Sequence, residues 1–278
     1  MIKPSYLSLE VSSHCNLKCK YCARQFMQRP SGNMSLDTAH KVKLQIDGLQ
    51  DVLYHITFNC YGEPTLNADL ISIINLFTDT NIRLILSTNC VIYNDELKDT
   101  HLSQLILHID EPFSDRFDNA IKYIDSDIPY IAVQYMVTDE NEFDIEDFIA
   151  ETIPFLTDNI NVKVWIKYPI LDPYRHINYC LTRDNFTGVI ERAEIVGQLN
   201  QFRGSDKYCS QLSDLVVVLD DGQLMIGCCS PDPLWHIGSI DDGIVDVFNS
   251  EYVNQLRLNF PNIGSCAECK QITKKYEI

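Results

Sequence analysis

The sequence predicts an α/β fold followed by a smaller cysteine-rich unit. Three observations carry that expectation. Strand-like and helix-like patterns alternate through residues 6–167, a cysteine loop follows the first strand directly, and the pattern changes character after residue 168. Strands separated by helices imply βαβ units and a mostly parallel sheet, because a parallel pair needs a long crossover connection.

Apolar and polar residues alternate over 6–12, the period of a half-buried strand. A helix is predicted over 36–49, with Ser35 and Asp37 as candidate caps. Further strands are expected at 55–59, 83–87, 104–109, 131–137 and 162–167, with helices at 68–77, 116–124 and 145–156. Six strands are too few for a closed eight-stranded barrel. In folds of this class functional groups gather at the carboxyl ends of the strands, and the cysteine loop has that place. From 169 the chain turns polar and irregular, with Pro173, Gly188, Gly197 and Gly204 as breakers. A hairpin is then predicted over 214–219 and 224–227 about the turn Asp220-Asp221-Gly222, followed by a helical stretch at 244–258. The expected organisation is a domain over 1–168, a linker over 169–208 and a second domain over 209–278.

Composition fits a soluble enzyme: 278 residues with 45% hydrophobic content can bury a full core. A formal charge of −17 argues against nucleic acid as the main partner, since a phosphate backbone needs a basic footprint. It is compatible with a cationic substrate such as an aminosugar or basic peptide, and equally with a solvated acidic surface. No apolar run reaches membrane-spanning length, and Met1-Ile2-Lys3-Pro4 does not open a signal peptide, so a cytoplasmic protein without a membrane partner is expected. In that reducing setting, the clustered cysteines among the eleven read as metal ligands or catalytic thiols rather than disulfides.

Cys15, Cys19 and Cys22 lie in the run His14-Cys15-Asn16-Leu17-Lys18-Cys19-Lys20-Tyr21-Cys22. Thiols at C-x3-C-x2-C spacing can face one metal centre; four would close a four-iron cluster, whereas three leave one iron open. A zinc knuckle or buried structural cysteines are the alternatives. With Asn16 after the first cysteine and Tyr21 before the third, the run resembles the cluster loop of the radical S-adenosylmethionine (SAM) enzymes. That resemblance implies an open, partial (β/α)6 barrel with a [4Fe–4S] cluster at Cys15, Cys19 and Cys22. The open iron would chelate the amino and carboxylate groups of SAM. One electron, from a flavodoxin or ferredoxin, would cleave it to a 5′-deoxyadenosyl radical.

Two later strand ends are similar to the same family. Asn59-Cys60-Tyr61-Gly62-Glu63-Pro64 resembles its Gly-Gly-Glu-Pro segment, with Tyr61 in place of the first glycine. Ser87-Thr88-Asn89-Cys90 resembles its Thr-Asn-Gly turn, and His108-Ile109-Asp110 stands where relatives show Ser-Leu-Asp. The resemblance implies SAM contacts from Tyr21, Gly62, Glu63, Pro64, Ser87, Asn89 and Asp110. Cys60 and Cys90 are candidate hydrogen-atom donors, against the plainer reading of both as small apolar fillers.

The C-terminal third resembles the twitch form of the SPASM auxiliary-cluster domain. It implies a second [4Fe–4S] cluster held by Cys209, Cys228, Cys266 and Cys269, with Cys229 as an alternative to Cys228. A zinc ribbon remains open, because four thiols including one C-x2-C pair also suit tetrahedral zinc. The layout is shared with 2-deoxy-scyllo-inosamine dehydrogenase and aminoglycoside epimerases. It implies hydrogen abstraction from a small polyol or aminosugar, ending in dehydrogenation or epimerisation. The first strand begins close to Met1, which predicts no N-terminal leader-peptide-binding domain and so favours a small substrate over a peptide. Peptide modification is the nearer alternative, and a non-catalytic iron–sulfur or zinc protein that binds a partner is the alternative of another class.

Overall fold

The first strand, β1 (Tyr6–Leu9), leads through the cysteine loop to α1 (Leu36–Ile46), β2 (His55–Phe58), α2 (Leu70–Asn75) and β3 (Arg83–Thr88). Then come β4 (Gln104–Ile109), α3 (Asp115–Ile124), β5 (Ile131–Met136), α4 (Ile145–Asp158), β6 (Val162–Lys167) and β7 (Tyr179–Leu181). The C-terminal part adds β8 (Lys207–Tyr208), α5 (Ser210–Asp214), β9 (Leu215–Val218), β10 (Gln223–Ile226), β11 (His236–Ser239), α6 (Ile244–Phe248), α7 (Glu251–Asn259) and β12 (Thr273–Lys274). This computed structural model describes residues 1–111, 114–138, 141, 144–158, 161–167, 179–181, 207–208, 210–227, 235–260, 262 and 273–274. The chain packs as two units, one of residues 1–84 with 201–278 and one of residues 85–200.

In the first unit, β1 lies between two parallel neighbours, with Tyr6 opposite His55 of β2 on one side and Leu215 of β9 on the other. β10 and β11 continue the sheet antiparallel. Interior strands of a parallel sheet covered on both faces are buried on both. Accordingly Leu7 and Leu9 of β1, Ile56 and Phe58 of β2, and Val216, Val217 and Val218 of β9 are all buried. The helix α1 begins where Ser35 accepts a hydrogen bond from the Thr38 amide at 3.1 Å, and it buries Ala39, Val42 and Ile46 at helical spacing. It stops at Ile46, three residues short of the expected end.

The second unit begins inside β3. β3, β4, β5 and β6 pair in parallel in that order, and β7 closes antiparallel on β6. The α3 helix starts at Ser114, whose hydroxyl accepts from the Phe117 amide at 3.3 Å, and buries Phe117, Ala120, Tyr123 and Ile124. Phe148 of α4 stacks on Tyr135 of β5, with ring centroids 4.4 Å apart.

The α/β class and mostly parallel sheet stand as the sequence predicts. Three differences bear on how the site is built. β1 ends at Leu9, because Glu10 turns into a buried polar cluster described below. The stretch 244–258 is two helices, since Ser250 accepts from the Val253 amide at 3.3 Å and so begins a new one. The hairpin does not stand apart from the first strand: β9 is a direct ladder partner of β1.

That last pairing makes the C-terminal segment structural for the N-terminal one. Val216, Val217 and Val218 together contribute about 5–9 kcal/mol of burial, comparable with a whole domain's net stability. Residues 1–200 made alone should therefore lack the cooperative unfolding of the first unit, read from hydrogen exchange in β1, β2 and α1, and show less near-UV circular dichroism than the full chain. A cooperative transition matching the full chain would overturn the pairing.

Candidate functional site

Cys15, Cys19 and Cys22 follow the carboxyl end of β1, and each is partly exposed. The loop that carries them is held by its backbone. The Cys22 amide donates to the Cys19 carbonyl at 3.0 Å, with Tyr21 inside that turn, and the Leu17 amide approaches Cys15 Sγ at 3.5 Å. Arg24 staples the loop from within, donating from Nε to the Ser13 carbonyl at 2.8 Å and from Nη2 to Ser31 Oγ at 3.1 Å. Among the described residues no three Cys, His, Asp or Glu side chains are gathered closely enough to hold a metal ion. The donor chemistry, three accessible thiols in one loop, is what fits an iron–sulfur cluster.

The segment after β2 is locked onto this loop. The Glu63 amide donates to the His14 carbonyl at 2.7 Å. Gly62 lies so close that a Cβ there would stand 2.1 Å from the Ser12 carbonyl oxygen and 2.6 Å from that of His14. Only glycine permits that approach. Glu63 is 2% exposed, and its Oε1 accepts from the Thr65 amide at 3.1 Å and the Thr65 hydroxyl at 2.7 Å, capping a short 3-10 turn that Pro64 begins. Tyr61, the departure from the family's glycine, turns its ring into the interior, where its hydroxyl meets Met225 Sδ at 3.7 Å. Cys60 is partly exposed.

Beneath the loop lies a cluster that sequence reasoning missed. Arg29 makes ion pairs with both Glu10 and Asp220. The Ser13 hydroxyl donates to Asp220 Oδ2 at 2.8 Å, and the amides of Tyr61 and Asp220 each approach Glu10 at 3.3 Å. Burial pushes the Glu10 carboxyl up to about 7, against the lowering by Arg29 and with a further rise from Asp220. Lone charges at positions 10, 29 and 220 share no spacing, so no single-sequence signal joins them.

In the second unit, Ser87 is buried and the turn after β3 is held by α3. Arg116 Nε donates to the Asn89 carbonyl at 2.8 Å, Asn119 Nδ2 to the Cys90 carbonyl at 3.0 Å, and the Val91 amide to Asn89 Oδ1 at 3.0 Å. Cys90 takes φ +60, the left-handed conformation that explains why relatives place glycine there, and its side chain is fully buried. Asp110 pairs with Arg116 at 3.6 Å, and His108 Nδ1 lies 3.0 Å from Gln134 Nε2 of β5. Cys209, Cys228, Cys229, Cys266 and Cys269 lie outside the described residues.

Residues 9–151, just over half of the chain, match the Radical SAM superfamily. The chain belongs to that superfamily. Its members use a [4Fe–4S] cluster and SAM. Among similar proteins is the tungsten-containing aldehyde ferredoxin oxidoreductase cofactor-modifying protein of Pyrococcus furiosus, 30% identical over 92 residues, which are 33% of this chain and 26% of that protein. The chain thus aligns with about a quarter of that relative's length. Among solved structures, BtrN in complex with AdoMet and 2-DOIA is 18% identical with a TM-score of 0.57, covering 100% of this chain and 98% of BtrN. SuiB of Streptococcus suis, bound to precursor peptide SuiA, is 13% identical with a TM-score of 0.68, covering 97% of this chain and 70% of SuiB. These likenesses show the radical SAM fold. No helix among the described residues is long and apolar enough to cross a membrane.

Since the atoms that a Cβ at Gly62 would meet are backbone, Gly62→Ala cannot be relieved by a rotamer change. It should cost about 1–3 kcal/mol in denaturant unfolding and lower the iron bound by the Cys15 loop after reconstitution. Wild-type stability and iron content would show that the two segments do not pack this way.

Proposed function

We propose that this chain is a radical SAM enzyme that abstracts a hydrogen atom from a C–H bond of a small polyol or aminosugar. In this reading Cys15, Cys19 and Cys22 ligate a [4Fe–4S] cluster with one open iron. The observation that carries it is the backbone lock between the thiol loop and Gly62-Glu63, which fixes a candidate SAM-binding segment against the candidate cluster ligands. The chemistry supplied there on binding is one-electron cleavage of the SAM sulfonium to a 5′-deoxyadenosyl radical, which takes the substrate hydrogen.

The chain's own residues position SAM. The close approach of Gly62 to the backbone of Ser12 and His14 sets this segment against the thiol loop, and the Tyr61 ring is turned inward toward Met225. Glu63 accepts the SAM amino group while its bonds to Thr65 hold the carboxylate in one orientation. The family resemblance implies further SAM contacts from Tyr21, Pro64, Ser87, Asn89 and Asp110. Residues 209–278 form a twitch-type unit in which Cys209, Cys228 or Cys229, Cys266 and Cys269 hold a second [4Fe–4S] cluster. The antiparallel pairing of β8 with β12 supports that set, since β8 ends one residue before Cys209 and β12 begins four residues after Cys269. Electrons come from a flavodoxin or ferredoxin in the cytoplasm.

Dehydrogenation is the favoured outcome, supported by the end-to-end likeness to BtrN and by a second cluster able to accept the substrate electron. Cys60, partly exposed, or Cys90, just after the end of β3, is the donor if the reaction is instead an epimerisation. Peptide modification is the second reading, supported by the likeness to SuiB.

Anaerobically reconstituted protein should hold roughly eight irons per chain and, reduced with dithionite, form 5′-deoxyadenosine from SAM. Replacing Cys15, Cys19 and Cys22 with Ala should leave roughly four irons and no 5′-deoxyadenosine. Glu63→Gln should weaken SAM binding by about tenfold with the iron unchanged, the loss of one charge-assisted hydrogen bond. Zinc in place of tail iron, or SAM cleavage by the triple variant, would sink the reading.

The outcome of the reaction is read from turnover in deuterated water with candidate aminosugars. An oxidised product without deuterium at the reacting carbon is expected, and Cys60→Ala should retain turnover. A redox-neutral product carrying solvent deuterium would replace dehydrogenation with epimerisation.

A further inference from the structure

The thiol loop runs from Glu10 to Ser35 with little regular structure to hold it, one 3-10 turn at Ala23–Phe26 and a single bridge between Ser12 and Asn33. Its return leg, residues 29–32, is instead fixed by charge and close packing. Arg29 inserts between two carboxylates from different parts of the chain, Glu10 at the end of β1 and Asp220 in the β9–β10 turn. Gly32 closes against the same turn: a Cβ there would stand 2.6 Å from Asp220 Oδ2, and its amide donates to Ser13 Oγ at 2.8 Å. The Ser13 hydroxyl passes that bond on to Asp220.

We propose that Arg29 is a positioning residue that clamps the thiol loop, and that Asp220 makes the C-terminal hairpin part of the support for SAM cleavage. The planar fork of a guanidinium can serve two carboxylates at once, which a lysine ammonium on one stem does less well. Glu10 and Asp220 are both buried, so without Arg29 two like charges would face each other with no counter-ion. Burial raises the Glu10 pKa, Arg29 opposes that rise and Asp220 adds to it. The loop therefore reaches its docked position only when the hairpin turn is present to complete the cluster.

The SAM part of this inference rests on the proposed role of Cys15, Cys19 and Cys22, whereas the clamp can be tested without iron. Removing Arg29 outright could prevent folding, so the variants are Asp220→Asn, which keeps the size but removes the charge and one acceptor, and Arg29→Lys, which keeps the charge. In iron-free full-length protein, amide hydrogen exchange over residues 13–33 should quicken by about tenfold or more in both variants, the scale of one charge-assisted hydrogen bond. Exchange in β2, β5 and α3 should stay as in the wild type. After reconstitution and reduction, both variants should keep the auxiliary iron yet lose most of the SAM-induced change in the electron paramagnetic resonance spectrum. Unchanged loop exchange in both variants overturns the clamp, and so does a uniform rise across the first unit, which would mean general destabilisation. If the loop opens as expected but wild-type protein shows no spectral response to SAM, the clamp stands and the proposed function fails.

Discussion

Glu10 is fully buried, and a buried carboxylate must be satisfied or it destabilises the fold. Its partners come from three places: Arg29 from the thiol loop, the Tyr61 amide from the end of β2, and the Asp220 amide from the β9–β10 turn. Three segments remote in sequence are thus obliged to meet at one strand end. The thiol loop and the Gly62-Glu63 segment are arranged above this meeting point, so their geometry depends on a group that touches neither SAM nor metal in the proposed function.

Periodicity made the β/α alternation legible, and the bounds of β4 and β6 fall where the sequence places them. It failed where a single side chain overrides a local pattern. Glu10 continues the alternation of 6–12 on paper, yet it leaves the ladder because its carboxylate is claimed by tertiary partners. Ser250 looks like one polar residue in a helical run, but its hydroxyl caps the following turn and divides the run in two. The partnership of β1 with β9 was invisible, because register between distant strands is set by packing rather than by local propensity. At the site, spacing and short motifs exposed the thiols and Gly62-Glu63, whereas Arg29 and Asp220 belong to no motif.

Two residues stand where relatives carry glycine, and the chain accommodates them in different ways. Tyr61 keeps an ordinary backbone and buries its ring toward Met225, which adds apolar burial to the core. Cys90 keeps the glycine-like backbone at φ +60, at a cost of about 1–2 kcal/mol for a residue with a Cβ. Hydrogen bonds from Arg116 and Asn119 to this turn offset that strain. Neither replacement therefore requires the strand ends to move.

The position of β1 between β2 and β9 also bears on the order of events during synthesis. Tyr6 is synthesised 209 residues before its partner Leu215. Until then one edge of β1 has no ladder partner, and the charges of Glu10 and Arg29 lack the acid that completes their group. Such a far-separated pairing is slow to close, because loop-closure entropy must be overcome before the contact is gained. Docking of the thiol loop is consequently late in folding, and a nascent chain stalled before residue 215 carries its cysteines on an unfinished scaffold.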